Sequence, residues 1–172
     1  MLALRGLRDR AWPTSPGNTA PFQLSSGMVP TPDLLRRYSL FGGLIDSQLE
    51  RLVARIRITE VDTGAVIMRE GEKGDQLFCL VCGEVEVQRG GRVLVRLGAG
   101  ETLGEMELID MNPRSATVVA LTPCTLCALA RRDILALQRE DLPAFTLVIM
   151  NLARDLSRRL RQMDVAAAGT TP

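Results

Sequence analysis

The chain contains no histidine. Serine and cysteine triads thereby lose their usual base, and metal-dependent jelly-roll enzymes lose their usual ligands, so the sequence argues against an enzyme. Neither sign of charge is in excess: 21 basic and 20 acidic residues leave +1, with no broad field to draw the molecule onto nucleic acid or an anionic membrane. No apolar run approaches the roughly 20 residues needed to cross a bilayer. The Arg-rich start lacks the apolar core of a secretory signal, and a cytoplasmic location is expected.

The four cysteines form two short motifs, Cys79-x-x-Cys82 and Cys124-x-x-Cys127, with superficially zinc-like spacing. Forty-one residues separate them, each lies in an apolar strand pattern, and i, i+3 positions on a strand face opposite sides of the sheet. They read as reduced core cysteines, with no metal and no cofactor expected.

At 172 residues and 46% hydrophobic content the chain can bury one sizeable core. Residues 1–32 hold five of the nine prolines and a single acid, Asp9, with no sustained apolar period. That is the composition of an unpacked tail, and Met28 is a second candidate start. A folded domain is expected over 33–163, followed by a short disordered tail over 164–172.

From Asp33, apolar residues recur at helical steps: Leu34, Leu35, Tyr38 and Leu40, then Leu44, Ile45, Leu49, Leu52, Val53 and Ile56. Asp46-Ser47 is the expected N-cap of the second helix. After Thr59 the period falls to two. Val66-Ile67, Leu77 to Val81, Val85 to Val87, Val93 to Leu97, Ala116 to Leu121 and Thr125 to Ala130 read as strands, punctuated by glycines. Gly90-Gly91 marks a tight hairpin. Helical period returns over Asp133 to Arg139 and again from Pro143, where Val148, Leu152, Leu156 and Leu160 step by four. The predicted class is α+β: a double-stranded β-helix, or jelly-roll-like β-roll, flanked by N-terminal helices and a C-terminal helix pair.

Between two of those strands lies LGEMELIDMNPRSAT, Leu103 to Thr117. A chain turning through Gly104 into a short helix at Glu105 presents free first-turn N–H groups, which attract anions. Arg114, placed by Pro113, can grip two oxygens of one phosphate. A carboxylate at Glu105 repels phosphate but accepts hydrogen bonds from a sugar hydroxyl beside it. Phosphate plus ribose is the ligand this arrangement suggests.

At these residues the sequence resembles the cyclic nucleotide-binding domain family. Gly104, Glu105, Leu108, Ile109, Pro113, Arg114, Ser115, Ala116 and Thr117 match its phosphate-binding cassette in type and spacing. Gly64, Glu70-Gly71-Glu72, Gly74-Asp75, Phe78 and Gly83 resemble its glycine-punctuated roll. The resemblance implies cAMP as ligand, with cGMP the alternative. It implies that Glu105 takes the ribose 2′-hydroxyl and Arg114 the cyclic phosphate. Gly104, Met106 and Glu107 would bring backbone groups, and Ser115 a hydroxyl to phosphate or base. It implies too that the terminal helix closes over the base, with Leu156, Arg159, Leu160 and Met163 as candidate caps, and that ligand signals by shifting a population. Partners would be a protein effector or a second copy through the Leu152, Leu156, Leu160 stripe. No helix-turn-helix follows Met163, so nucleic acid is not expected as a partner.

Two positions depart from the family pattern. Leu103 replaces an aromatic, a change of packing. Glu107 stands where a small residue is usual; a carboxylate about 6 Å from phosphate would repel it by about 2–3 kcal/mol at an effective dielectric near 20. In the first helical turn, pointing to solvent, the same charge is mildly stabilising. The runner-up function is therefore a degenerate roll that binds no ligand and serves as an interaction or dimerisation module, with Glu105 and Arg114 an internal ion pair. A zinc-stabilised structural protein is third.

Overall fold

The computed structural model of the chain describes residues 29–168, except for the side chains at 107, 108 and 162–168. Most of the two expected tails, 1–28 and 169–172, lies outside the described residues. The described chain divides into two compact units: Ile58–Ala128, and residues 29–57 with 129–168.

The first unit is the roll. Its strands are β1 (Arg57–Val61), β2 (Val66–Met68), β3 (Gln76–Cys82), β4 (Glu84–Arg89), β5 (Arg92–Gly98), β6 (Thr102–Leu103), β7 (Thr117–Ala120) and β8 (Cys124–Ala130). They form two antiparallel four-stranded sheets, ordered β1-β8-β3-β6 and β2-β7-β4-β5. The expected β-roll is thus present. β3 and β8 are buried on both faces, which is why they read as near-continuous apolar runs rather than alternating ones. Between the sheets lies a core that includes Phe78, Leu80, Val85, Leu97, Leu103 and Leu126. The β4–β5 hairpin turns at Gly90 and Gly91, both at positive φ as the sequence required.

The second unit is helical. It contains α1 (Pro32–Arg36), a single 3₁₀ turn (Ser39–Phe41), α2 (Asp46–Val53), α4 (Arg131–Glu140) and α5 (Leu142–Ala168); α3 (Met106–Asp110) belongs to the roll. α2 begins one residue earlier than expected. Its N-cap is Ile45, whose amide donates to Gln48 Oε1 at 3.1 Å, so a glutamine reaching back replaces the expected Asp46-Ser47 cap. α5 continues past the expected end at 163, through the alanines at 166–168, the best helix formers.

The α5 stripe changes along its length. Val148 and Leu152 are fully buried, Leu156 is half-buried and Leu160 is exposed. Beside the buried part sit two polar residues that the sequence reading passed over. Asn151 Nδ2 donates to the carbonyls of Leu40 (3.2 Å) and Gly42 (2.8 Å), and Asp155 accepts from Ser39 Oγ at 2.6 Å. Arg154 donates to Asn151 (2.9 Å) and Arg158 pairs with Asp155 (3.2 Å). Polar groups buried with partners in this way hold α5 in register on the 3₁₀ turn.

At the N-terminus of α5, Asp141 accepts from the Ala144 amide at 3.0 Å and from Gln48 Nε2 at 3.1 Å, and it pairs with Arg51. The Ala144 and Gln48 hydrogen bonds chiefly hold its carboxyl below the usual value, with Arg51 adding to them. A depressed folded pKa stabilises above the unfolded value, near 3.9, and that contribution is lost as pH falls through the lower folded value. Urea denaturation should show wild type losing more stability than Asp141→Asn as pH drops below about 4. For the roll, Leu80→Ala removes a fully buried side chain and should cost about 2–5 kcal/mol in the same assay.

Candidate functional site

The site is built by three loops of the roll. In the β2–β3 connection, Gly71 at φ +82 donates its amide to the Arg114 carbonyl at 2.9 Å. The Arg114 amide donates back to the Glu72 carbonyl at 2.8 Å, and the Glu70 amide donates to Thr117 Oγ1 at 3.0 Å. Arg114 is therefore clipped into place by its backbone, whatever its side chain does.

Its side chain is buried, with 6% of its surface exposed. Nη2 donates to the Gln76 carbonyl at 2.9 Å and Nη1 to the Gly104 carbonyl at 3.5 Å, while the guanidinium carbon lies 6.0 Å from the centre of the Phe78 ring. Two glycines make room for it. A Cβ on Gly74 would lie 2.2 Å from Arg114 Nε, and one on Gly104 would lie 2.2 Å from Nη1 and 2.9 Å from the Gln76 carbonyl. Gly104 also has φ +73, so any side chain there meets both strain and collision.

From Gly104 the chain enters α3 (Met106–Asp110), whose N-cap is Glu105, itself buried. The first turn of α3 takes no side-chain cap. Its end is set by Met111 in the left-handed region at φ 59, and by Asn112, whose amide donates to Asp110 Oδ1 at 3.1 Å. That bond lowers the Asp110 pKa. Ser115 Oγ donates to Met106 Sδ at 3.6 Å, tying α3 to the residue after Arg114.

Gly104, Met106, Arg114 and Ser115 thus meet through these contacts, with Glu105 buried between Gly104 and Met106 in the chain. The backbone of Glu107 lies in α3, but its side chain, and so the question of where its charge points, falls outside the described residues. Sequence reasoning missed the Gln76 carbonyl as a partner of Arg114, since a backbone acceptor leaves no mark on residue type. Gly74 was noted as punctuation of the roll; its nearer role is to leave space for the guanidinium. Among the described residues no group of three or more histidines, cysteines, aspartates or glutamates is placed to hold a metal.

The family model for the cyclic nucleotide-binding domain matches residues 58–141. A cyclic AMP receptor protein of Thermus thermophilus is 40% identical over 131 residues, 73% of this chain and 59% of that protein. A cyclic nucleotide-gated potassium channel of Rhizobium etli is 44% identical over 100 residues, 58% of this chain and 28% of that one. This chain therefore spans less than two thirds of either relative. Among solved structures, the N-terminal domain of a transcriptional regulator from Streptomyces coelicolor aligns with TM-score 0.65 at 33% identity, over 76% of this chain and 95% of that one. Matched from the first strand of the roll to the residue after α4, and by relatives of these kinds, the chain belongs to the cyclic nucleotide-binding domain family.

Proposed function

We propose that this protein is a non-enzymatic cyclic nucleotide sensor, with cAMP as its ligand and cGMP as the alternative. Arg114 takes the cyclic phosphate and Glu105 the ribose 2′-hydroxyl. The backbone of Gly104, Met106 and Glu107 adds contacts, and the Ser115 hydroxyl reaches phosphate or base. The observation that carries this reading is the seat of Arg114: two glycines, a two-bond backbone clip and two carbonyls hold one guanidinium at the Gly104 turn, where the chain continues into the buried Glu105. A roll with no use for that cation has no reason to leave two glycines collapsed around it. The name of the Thermus relative, a cyclic AMP receptor protein, supports cAMP first. Ligand then biases α5 between two arrangements, and an effector or a second copy reads the difference.

One observation favours the second reading, a roll that binds nothing and serves as an interaction module. Arg114 is buried and its guanidinium already donates to two carbonyls, so phosphate must share or displace those bonds.

Thermal unfolding with cAMP, with cGMP and without nucleotide separates the two. At 100 times its dissociation constant the ligand should stabilise by about 2.7 kcal/mol, and no shift with either nucleotide would leave only the module. By calorimetry, Arg114→Ala should weaken cAMP binding by about 10- to 150-fold, the worth of a charge-assisted contact of about 1.5–3 kcal/mol. Gly104→Ala, which moves the same cation without removing it, should weaken it in the same direction. Far-UV circular dichroism of both variants checks that the roll is intact. The candidate homodimer seam is the distal part of α5, where Leu156 is half-buried and Leu160 exposed. Sedimentation equilibrium should show a dimer that Leu160→Glu dissociates.

A further inference from the structure

The cysteines are arranged differently from their sequence spacing. β3 and β8 are neighbours in one antiparallel sheet. Where β3 ends, a Cβ on Gly83 would lie 2.5 Å from Cys124 Sγ and 2.5 Å from the Pro123 carbonyl, and Cys124 Sγ donates to the Glu84 carbonyl at 3.4 Å. Gly83 therefore lies against Pro123 and Cys124, which brings Cys82, one residue back on β3, and Cys124, at the start of β8, together at the same end of the two antiparallel strands. Three steps back along β3 and three forward along β8 put Cys79 across from Cys127. Period-two alternation gives each pair one face: Cys82 shares that of Phe78 and Leu80, and Cys124 that of Leu126 and Ala128, all four in the roll core. The other pair lies on the opposite face.

The electrostatics agree with this pairing. Besides burial, which dominates, the thiol of Cys127 pushes up that of Cys79, and Cys82 pushes up that of Cys124. Burial alone pushes Cys127 up to about 11. The two C-x-x-C motifs are thus not zinc knuckles but the two halves of two cross-strand pairs.

We propose that Cys82 and Cys124 are an oxidative modification site, a cross-strand dithiol that hydrogen peroxide or a similar two-electron oxidant converts to a reversible disulfide. Directly opposed strand residues have Cβ atoms close to the separation a disulfide needs. Of the four cysteines, Cys82 alone is not buried, so it meets the oxidant. Its thiolate attacks a peroxide oxygen, the O–O bond breaks, and one water leaves with the sulfenic acid formed. Cys124 sulfur then attacks the Cys82 sulfur, forming the S–S bond and releasing the hydroxyl as a second water. Two thiols lose two protons and two electrons, and one peroxide becomes two waters. Cys79 and Cys127, buried and held protonated, stay reduced. Disulfides of this accessible kind in reducing compartments are transient and redox-sensing. The strand so stapled is β3, which also supplies the Gln76 carbonyl to Arg114. The proposal stands whether or not nucleotide binds.

The test is mass spectrometry of the full chain after peroxide, with free thiols alkylated under denaturing conditions and no reductant. The expected product is lighter by two hydrogens, carries two alkylated cysteines, yields a Cys82–Cys124 linked peptide, and reverts with dithiothreitol. The midpoint of thermal unfolding should rise by about 5 °C on oxidation, and not in Cys82→Ser. Four alkylated cysteines after peroxide, or Cys82 carried to sulfinic or sulfonic acid without a linked peptide, would overturn it. A linked Cys79–Cys127 peptide in its place would overturn the order of reactivity and with it the site.

Discussion

A buried guanidinium needs acceptors, and the way Arg114 obtains them organises the site. An unpaired charge taken out of water costs far more than one domain's marginal stability can absorb. Here the Gln76 carbonyl, at the start of β3, and the Gly104 carbonyl, at the turn after β6, receive it. Both glycines follow from that demand, because neither Gly74 nor Gly104 can carry a Cβ while the guanidinium is where it is. The backbone clip to Gly71 and Glu72 then fixes the β2–β3 connection to the same point. One cation thus sets the course of three loops.

That precision rests on a stiff support. β3, whose Gln76 carbonyl accepts from Arg114, is buried on both faces, and its Phe78 ring lies against the guanidinium as well as in the roll core. Groups presented from such a strand move little, as a site that must discriminate a charged ligand requires. The helical unit uses different means. Its long helix is held by buried side-chain hydrogen bonds from Asn151 and Asp155 to the 3₁₀ turn, and those bonds have discrete partners to make or break.

Much of this could be read from the residues. The change of period at Thr59, the glycine pair at 90 and 91 and the succession of short strands punctuated by glycines foretold the roll, because each tight turn between strands demands a residue free to take positive φ. The Gly104-to-Arg114 segment was readable as a turn with a cation because φ above zero and a fork-shaped donor each demand a residue type. What escaped notice depends on the partner rather than on the residue. β6 has two residues, too few to show a period. The Gln76 and Gly104 carbonyls have no side-chain signature. Asn151 and Asp155 look like surface residues until their i, i+4 spacing is set beside the buried Val148 and Leu152. The cysteines were readable as core residues, but their partners across the sheet were not, since these depend on the register between two strands rather than on spacing along one.

The central claim is that the Arg114 guanidinium is the group that meets the cyclic phosphate. The side-chain Nε–H signal of Arg114, assigned in a ¹⁵N-labelled sample by its absence in Arg114→Lys, reports on that group directly. On stoichiometric addition of cAMP it should shift more than any other arginine signal. If cAMP binds while the Arg114 signal stays where it was, the phosphate is held elsewhere and the account fails.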